Sequence, residues 1–213
     1  TEEHFAVREK AGLFDVSHMG QFFIEGAGSK ELLQYVTTNN VDALENGKAQ
    51  YSCLPNENGG IVDDLIVYKM EDDKYFVVVN ASNIDKDWDH ISKYNTFGAQ
   101  MTNASDEMSL LAVQGPKATE ILQKLTETNL SEIPYYHFTV GSVAGVSEVI
   151  ISNTGYTGSG GFEIYFKNES AEKLWDAIIE AGAEEGIVLF GLAARDTLRL
   201  EKGFCHYGND IDD

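Results

Sequence analysis

The sequence predicts an α+β chain with mixed or antiparallel sheets, and a small set of observations carries that prediction. Two β-rich runs, Asp64 to Met70 and Tyr75 to Asn80, are separated only by Glu71-Asp72-Asp73-Lys74, which reads as a hairpin. Strands also stand directly before helices, so hairpins mix with strand–helix pairs and a doubly wound parallel sheet is disfavoured. One pattern of strand, glycine turn and helix occurs twice. Phe23 to Thr37 aligns with Ala112 to Thr126, with identities at Gly26/Gly115, Glu31/Glu120, Leu33/Leu122, Gln34/Gln123 and Thr37/Thr126. Any strand–turn–helix shares that outline; the sharper reading is a duplicated α+β unit. No Pro- or Ser-rich linker divides the halves, so two units would be interleaved or closely packed.

Taken in order, a helical pattern opens the chain at Glu2, and Gln21 to Glu25 reads as a strand. Gly26-Ala27-Gly28 turns the chain, and Ser29 is placed as the cap of a helix to Val36. The hairpin follows, then a helix from Ile84 to Tyr94 capped by Ser82 or Asn83. Leu110 to Gln114 is a strand, and Gly115-Pro116 opens a helix to Leu125, proline standing where a missing N–H costs least. Val146 to Ser152 and Phe162 to Phe166 are strands flanking a glycine-rich loop. Ser170 caps a helix to Ala183. The last helix runs from Ala193 to Lys202 and is stopped by Gly203.

The chain has 213 residues, with 35 Asp+Glu against 15 Lys+Arg and a net charge of −20. Such a chain repels phosphate backbones, which excludes nucleic-acid wrapping and a polybasic membrane role. The longest apolar runs, such as Phe76 to Val79, are too short for a membrane-spanning helix. Cys53 and Cys205 have no paired spacing and read as reduced, buried thiols of a cytoplasmic protein; no metal site is expected. His4, His18, His90, His137 and His206 show no metal-ligand spacing and are assigned structural roles. The chain starts at Thr1 and stops in the acidic, turn-rich Gly208 to Asp213, which reads as a piece of a longer protein.

Three segments hold candidate chemistry. In Asn56 to Tyr68, a Gly-Gly turn leads into an apolar strand that opens with two carboxylates. Side chains alternate across a strand, so Asp64 shares a face with Val62, Ile66 and Tyr68, and Asp63 shares the other with Ile61, Leu65 and Val67. A carboxylate in a partly apolar setting is either a poised functional group or a strand-entry Asp bonded to the preceding turn. In Asn153 to Tyr165, four glycines allow a ligand close to the backbone, yet the segment is neither a P-loop nor a dinucleotide fingerprint. Glu163 there alternates with Phe162 and Ile164; a hairpin loop with a solvated Glu is the plainer account. In Leu192 to Glu201, Arg195 and Arg199 lie one turn apart, suited to a planar partner or to surface ion pairs, and Leu192, Thr197 and Leu200 are placed inward.

Together the segments Leu13 to Met19, Asn58 to Leu65, Leu111 to Pro116, Thr154 to Gly158 with Gly161 to Glu163, Gly191 to Asp196, and Tyr207 to Asp212 resemble the T-protein family of the glycine cleavage system, the aminomethyltransferases. The resemblance covers nearly the whole chain, in register. It implies a folate-binding region of two related, ferredoxin-like α+β units. About 52–110 would form much of one, and 1–51 with 111–213 the other. A short N-terminal stretch and a C-terminal β-rich domain of the family have no counterpart here, so the piece alone is not expected to catalyse. The implied reaction moves a methylene carbon from the lipoyl arm of the H-protein to tetrahydrofolate and releases ammonia. The implied partners are therefore H-protein and folate, with no metal. The location would be the cytoplasm, or the mitochondrial matrix in a eukaryote.

Carried over by position, the family's functional Asp falls on Asp64, the catalytic carboxylate that would stabilise the cation or accept the proton. Met19, Tyr51, Tyr68, Asn80, Tyr156, Glu163 and Arg195 are the folate-binding positions, Glu163 meeting the pterin donors and Arg195 helping hold the folate. Ser159-Gly160 stands where the family usually has Glu-Asp, and Asn153 where it often has Arg, so a more mobile or less well-paired loop is expected. Competing readings are a folate-binding accessory protein of iron–sulfur cluster assembly and one domain of an oxidative demethylating enzyme.

Overall fold

The computed structural model describes every residue from Thr1 to Asp213. The chain divides into two compact units, Thr1–Ser17 with Met108–Phe204, and His18–Glu107 with Cys205–Asp213.

The first unit begins with α1 (Glu2–Glu9) and β1 (Gly12–Asp15). The chain then enters the second unit through β2 (Gly20–Glu25), α2 (Ser29–Val36), β3 (Ala49–Pro55), β4 (Ile61–Glu71), β5 (Lys74–Val79), α3 (Ile84–Lys93) and β6 (Gln100–Asn103). It returns to the first unit with β7 (Met108–Gln114), α4 (Ala118–Gln123), β8 (Phe138–Val143), β9 (Val146–Ser152), β10 (Gly161–Lys167), α5 (Ala171–Gly182), β11 (Val188–Leu189) and α6 (Leu192–Glu201).

The sheet of the second unit has the order β3-β4-β5-β2-β6 and that of the first β8-β9-β10-β7-β1-β11. With β1 set aside the orders correspond strand for strand, β2 matching β7 and β6 matching β11. The two segments aligned in sequence thus occupy the same place in both units, and the α+β duplication is real. All pairings are antiparallel except β1 with β11, which makes one sheet antiparallel and the other mixed.

Each sheet buries one face under its helices. In the second unit Phe22, Ile24, Leu65, Val67, Val77 and Val79 meet Leu32, Leu33 and Ile91. In the first, Val113, Ile151, Phe162 and Ile164 meet Leu122, Leu174 and Ile178. Burying such side chains is worth about 1.5–3 kcal/mol each, and these faces hold the helices in place.

Several expectations are corrected. The unit boundary lies after Ser17, not near 51, because β2 pairs with both β5 and β6 and belongs to their sheet. Residues 18–51 therefore go with the hairpin. Gly28, with φ +87°, caps α2, while Ser29 is buried inside it and makes no capping bond. On α6 the inward residues are Ala194, Leu198 and Arg199; Leu192, Thr197 and Leu200 are exposed, since the helix is rotated relative to the expected face. Neither cysteine forms a disulfide, but Cys53 is only half-buried and Cys205 is exposed. β1, β3, β6, β8 and β11 have no place in the sequence reading; each is short, polar, edge-like or interrupted.

Candidate functional site

Asp64 lies on β4, whose neighbours are β3 and β5. The register sets Cys53 opposite Asp64 and Tyr51 opposite Ile66, while Val79 is opposite Leu65. A side chain from each flanking strand therefore reaches the carboxylate. The Tyr51 hydroxyl donates to Asp64 Oδ2 at 2.8 Å, and Asn80 Nδ2, just past the end of β5, donates to Oδ1 at 2.6 Å. Asp63 points to the other face, as alternation predicts, and is completely buried with Leu65 and Val67. It accepts the Asn80 backbone N–H at 3.1 Å and Nδ2 at 2.8 Å. Asn80 thus ties together two carboxylates that point to opposite faces.

Burial pushes the Asp64 carboxyl up, and the charge of Asp63 adds to the rise; the bonds from Tyr51 and Asn80 oppose it. Burial and the facing Asp64 push the Tyr51 hydroxyl up as well, so it stays protonated and donates. The result is a half-buried acid with fixed donors on both oxygens. Such a group can exchange a proton or oppose a developing positive charge.

Of the other positions expected in the second unit, Tyr51 is well exposed and Met19 is half-buried in the turn before β2. Tyr68 has no exposed surface and packs its ring 5.6 Å from that of Phe76. It can support a site but offers no open surface to a ligand.

In the first unit Glu163 sits on β10 beside β7 and β9. It is buried rather than solvated, and Thr154 Oγ1 donates to its Oε2 at 2.5 Å. Burial pushes its carboxyl up, opposed first by the Thr154 bond and then by the charge of Arg195. A carboxylate has about four lone-pair sites, so acceptor capacity remains for a ligand's N–H groups. The Arg195 guanidinium lies 4.6 Å from the centre of the Tyr156 ring, and that ring stacks on Phe204 at 5.9 Å and 18°. Acid, cation and aromatic wall are thus brought together in this unit. Arg199 is not part of that arrangement: it is buried, bonded to Asp196 at 2.8 Å and to the Phe204 carbonyl at 3.1 Å.

The glycine-rich loop is well paired, against expectation. Gln114, buried at the end of β7, donates Nε2 to the carbonyls of Thr154 and Phe162, both at 3.2 Å, and its Oε1 accepts Thr157 Oγ1 at 2.9 Å. Arg8 donates to the Thr157 carbonyl and to Ser159 Oγ. Asn153 Nδ2 donates to the Ile133 carbonyl at 2.8 Å. Serine and asparagine thus find partners where longer charged side chains were expected.

Sequence reasoning passed over Gln114 and Asp87. Gln114 stands inside the Leu111 to Pro116 segment but was read only as part of a strand. Asp87 carries a visible signal. Ile84, Asp87, Trp88 and Ile91 have one-face helical spacing, which puts an acid on the apolar stripe of α3. Two of the histidines make structural hydrogen bonds, His4 with Thr197 Oγ1 at 2.9 Å and His137 with the Tyr135 carbonyl at 3.1 Å.

The family model described as GCVT N-terminal domain matches residues 1–213. An aminomethyltransferase of Phocaeicola vulgatus is 62% identical over 212 residues, which is 100% of this chain and 59% of that protein. One of Flavobacterium psychrophilum is 61% identical over 99% of this chain and 59% of its own length. The chain thus spans about 59% of the curated relatives it matches. The crystal structure of the glycine cleavage system aminomethyltransferase T from Bartonella henselae superposes with a TM-score of 0.89 at 35% identity, covering 99% of this chain and 56% of that one. Heterotetrameric sarcosine oxidase from Corynebacterium sp. U-96 gives a TM-score of 0.65 at 18% identity, covering 84% of this chain and 89% of that chain, a likeness of fold alone.

Proposed function

The chain belongs to the GCVT N-terminal domain family, and on that premise we propose that it is the tetrahydrofolate-binding part of an aminomethyltransferase of the glycine cleavage system. The substrates are an aminomethyl group on the dihydrolipoyl arm of H-protein and tetrahydrofolate. The two C–N bonds to folate form as the C–N bond to ammonia and the C–S bond to the arm break. Of the two folate N–H protons, one goes to sulfur and one to the departing amine. The products are the free dithiol arm, 5,10-methylenetetrahydrofolate and ammonia. From that reaction we place the protein in the cytoplasm, or in the mitochondrial matrix if it is eukaryotic; no helix is long and apolar enough to cross a membrane.

The observation that carries this reading is the Asp64 carboxyl, half-buried, raised from its ordinary value and held on both oxygens by Tyr51 and Asn80. The reacting carbon becomes cationic as its bond to the leaving group breaks. A fixed carboxylate opposes that charge and takes the proton of the attacking nitrogen. Glu163 is assigned to the pterin amino and ring N–H donors, and Arg195 to holding the folate. Tyr156, Met19 and Asn80 complete the binding set, the aromatic and apolar members giving walls for flat rings. Tyr68, on the same face of β4 as Asp64, packs on Phe76 and supports the strand.

The test is to assay the full-length protein for methylenetetrahydrofolate and ammonia formation from aminomethyl H-protein. Asp64→Asn is expected to lower kcat by about 100-fold or more, in the range of losing a general base, with little change in Tm. No turnover from a folded, folate-binding wild-type protein refutes the function. Full turnover by the Asp64→Asn protein refutes the assignment of Asp64.

A further inference from the structure

Asp87 is completely buried on the sheet-facing side of α3, next to Trp88, which packs on Phe22, and above Ile91 in the core. Both of its carboxyl oxygens are sealed from solvent and meet no N–H or O–H donor. The group they face is the carboxyl of Asp63 on β4, itself completely buried. Two ionised carboxylates are acceptors only and repel each other, so the contact is favourable only when one of them carries a proton. Asp63 already accepts the two N–H groups of Asn80, which suits the acceptor. With the proton on Asp87, its O–H can donate to Asp63.

We propose that Asp87 is a positioning residue for Asp64, acting through a chain of hydrogen bonds from Asp87 to Asp63 to Asn80 to Asp64. This deepens the proposed function and rests on Asp64 being the catalytic group. The links on either side of Asn80 are 2.8 Å and 2.6 Å long. Asn80 has one amide nitrogen for both carboxylates, so the orientation of Asp63 decides which way that nitrogen points. An Asp63 with no donor behind it is free to turn toward any nearby proton source and take Asn80 with it. Asp64 then loses its Oδ1 donor, and a carboxylate that loses a donor is less stable as an anion. The charged groups that act on Asp87 are Asp63 and Asp64 from β4 and Lys86 from its own helix. Lys86 is engaged by Tyr207 at 2.6 Å and Asp213 at 3.2 Å, so it does not neutralise the pair directly.

The test uses full-length protein with three variants and two readouts. Asp87→Asn keeps a donor toward Asp63 and is expected to lose no more than about threefold in kcat. Asp87→Leu removes the donor at similar volume; kcat is expected to fall by about 10- to 100-fold, with KM for tetrahydrofolate changed less than about threefold. Its acid limb in the pH–kcat profile should move upward, which a merely loosened fold would not produce. In an Asn80→Ala background the Asp87→Leu change is expected to add nothing, because the chain is already cut.

The second readout does not depend on turnover or on whether Asp87→Leu folds. Carboxyl 13C NMR of aspartate-labelled protein at neutral pH should show one aspartic acid resonance that stays protonated, and that resonance should vanish in Asp87→Asn. A fully ionised set of aspartates in the wild-type protein overturns the proposal, as does a folded Asp87→Leu protein with wild-type kcat and pH profile. An inactive wild type that still shows the protonated resonance refutes the transferase reading and leaves the Asp87–Asp63 contact standing.

Discussion

Replacing Asp87 by Asn should change how the stability of this protein depends on pH. Burial and the facing Asp63 push the Asp87 carboxyl from an ordinary 3.8 up to about 10. In the unfolded chain the group ionises near its ordinary value, so folding at neutral pH takes up a proton. A folded value above the unfolded one gives stability that is complete below about pH 4 and is lost as pH rises toward 10. Inside that window the slope is at most about 1.4 kcal/mol per pH unit for one proton. From pH 6 to pH 8 the wild-type protein should therefore lose up to about 2.7 kcal/mol that the Asp87→Asn protein does not. For a unit of about 100 residues that is about 11–22 °C in Tm. The assay is thermal unfolding of both proteins at pH 6, 7 and 8 in a buffer of constant ionic strength. The wild-type curve should fall relative to the variant as pH rises. Parallel curves, or a wild type that gains on the variant, would refute the argument that a neutral Asp87 is buried against Asp63.

Two further outcomes follow from the site geometry. Asp63→Asn should cost about 2–4 kcal/mol, because an NH2 group replaces one of two acceptors for Asn80 and also faces Asp87 in a dry core; Asp64→Asn, with a partly exposed side chain, should cost under about 1 kcal/mol, and urea unfolding separates the two. Gly155→Ala should destabilise the first unit by about 1–3 kcal/mol, since an added Cβ would lie 1.9 Å from Gln114 Oε1; folate titration should weaken in parallel, and an unchanged Tm would show that Gln114 is not the anchor of the loop.

What the sequence by itself determined was local. The hairpin of β4 and β5, the repeated strand–glycine–helix, and the opposite facing of Asp63 and Asp64 are all written in short-range spacing, because strand and helix periods are properties of neighbouring residues. The likeness of six segments to one family supplied Asp64, Glu163 and Arg195, and the fold brings Glu163 and Arg195 together with Tyr156 in one unit and Asp64 with Tyr51 and Asn80 in the other. Membership of β2 in its sheet depended on pairing with β5 and β6, which no local pattern specifies. The same holds for Gln114, whose amide is committed to a loop 40 residues further on. It holds most for Asp87. Its place on an apolar helical stripe was readable, but its meaning was not, because a buried acid is strained or useful according to what it faces, and only packing α3 on the sheet sets Asp63 there.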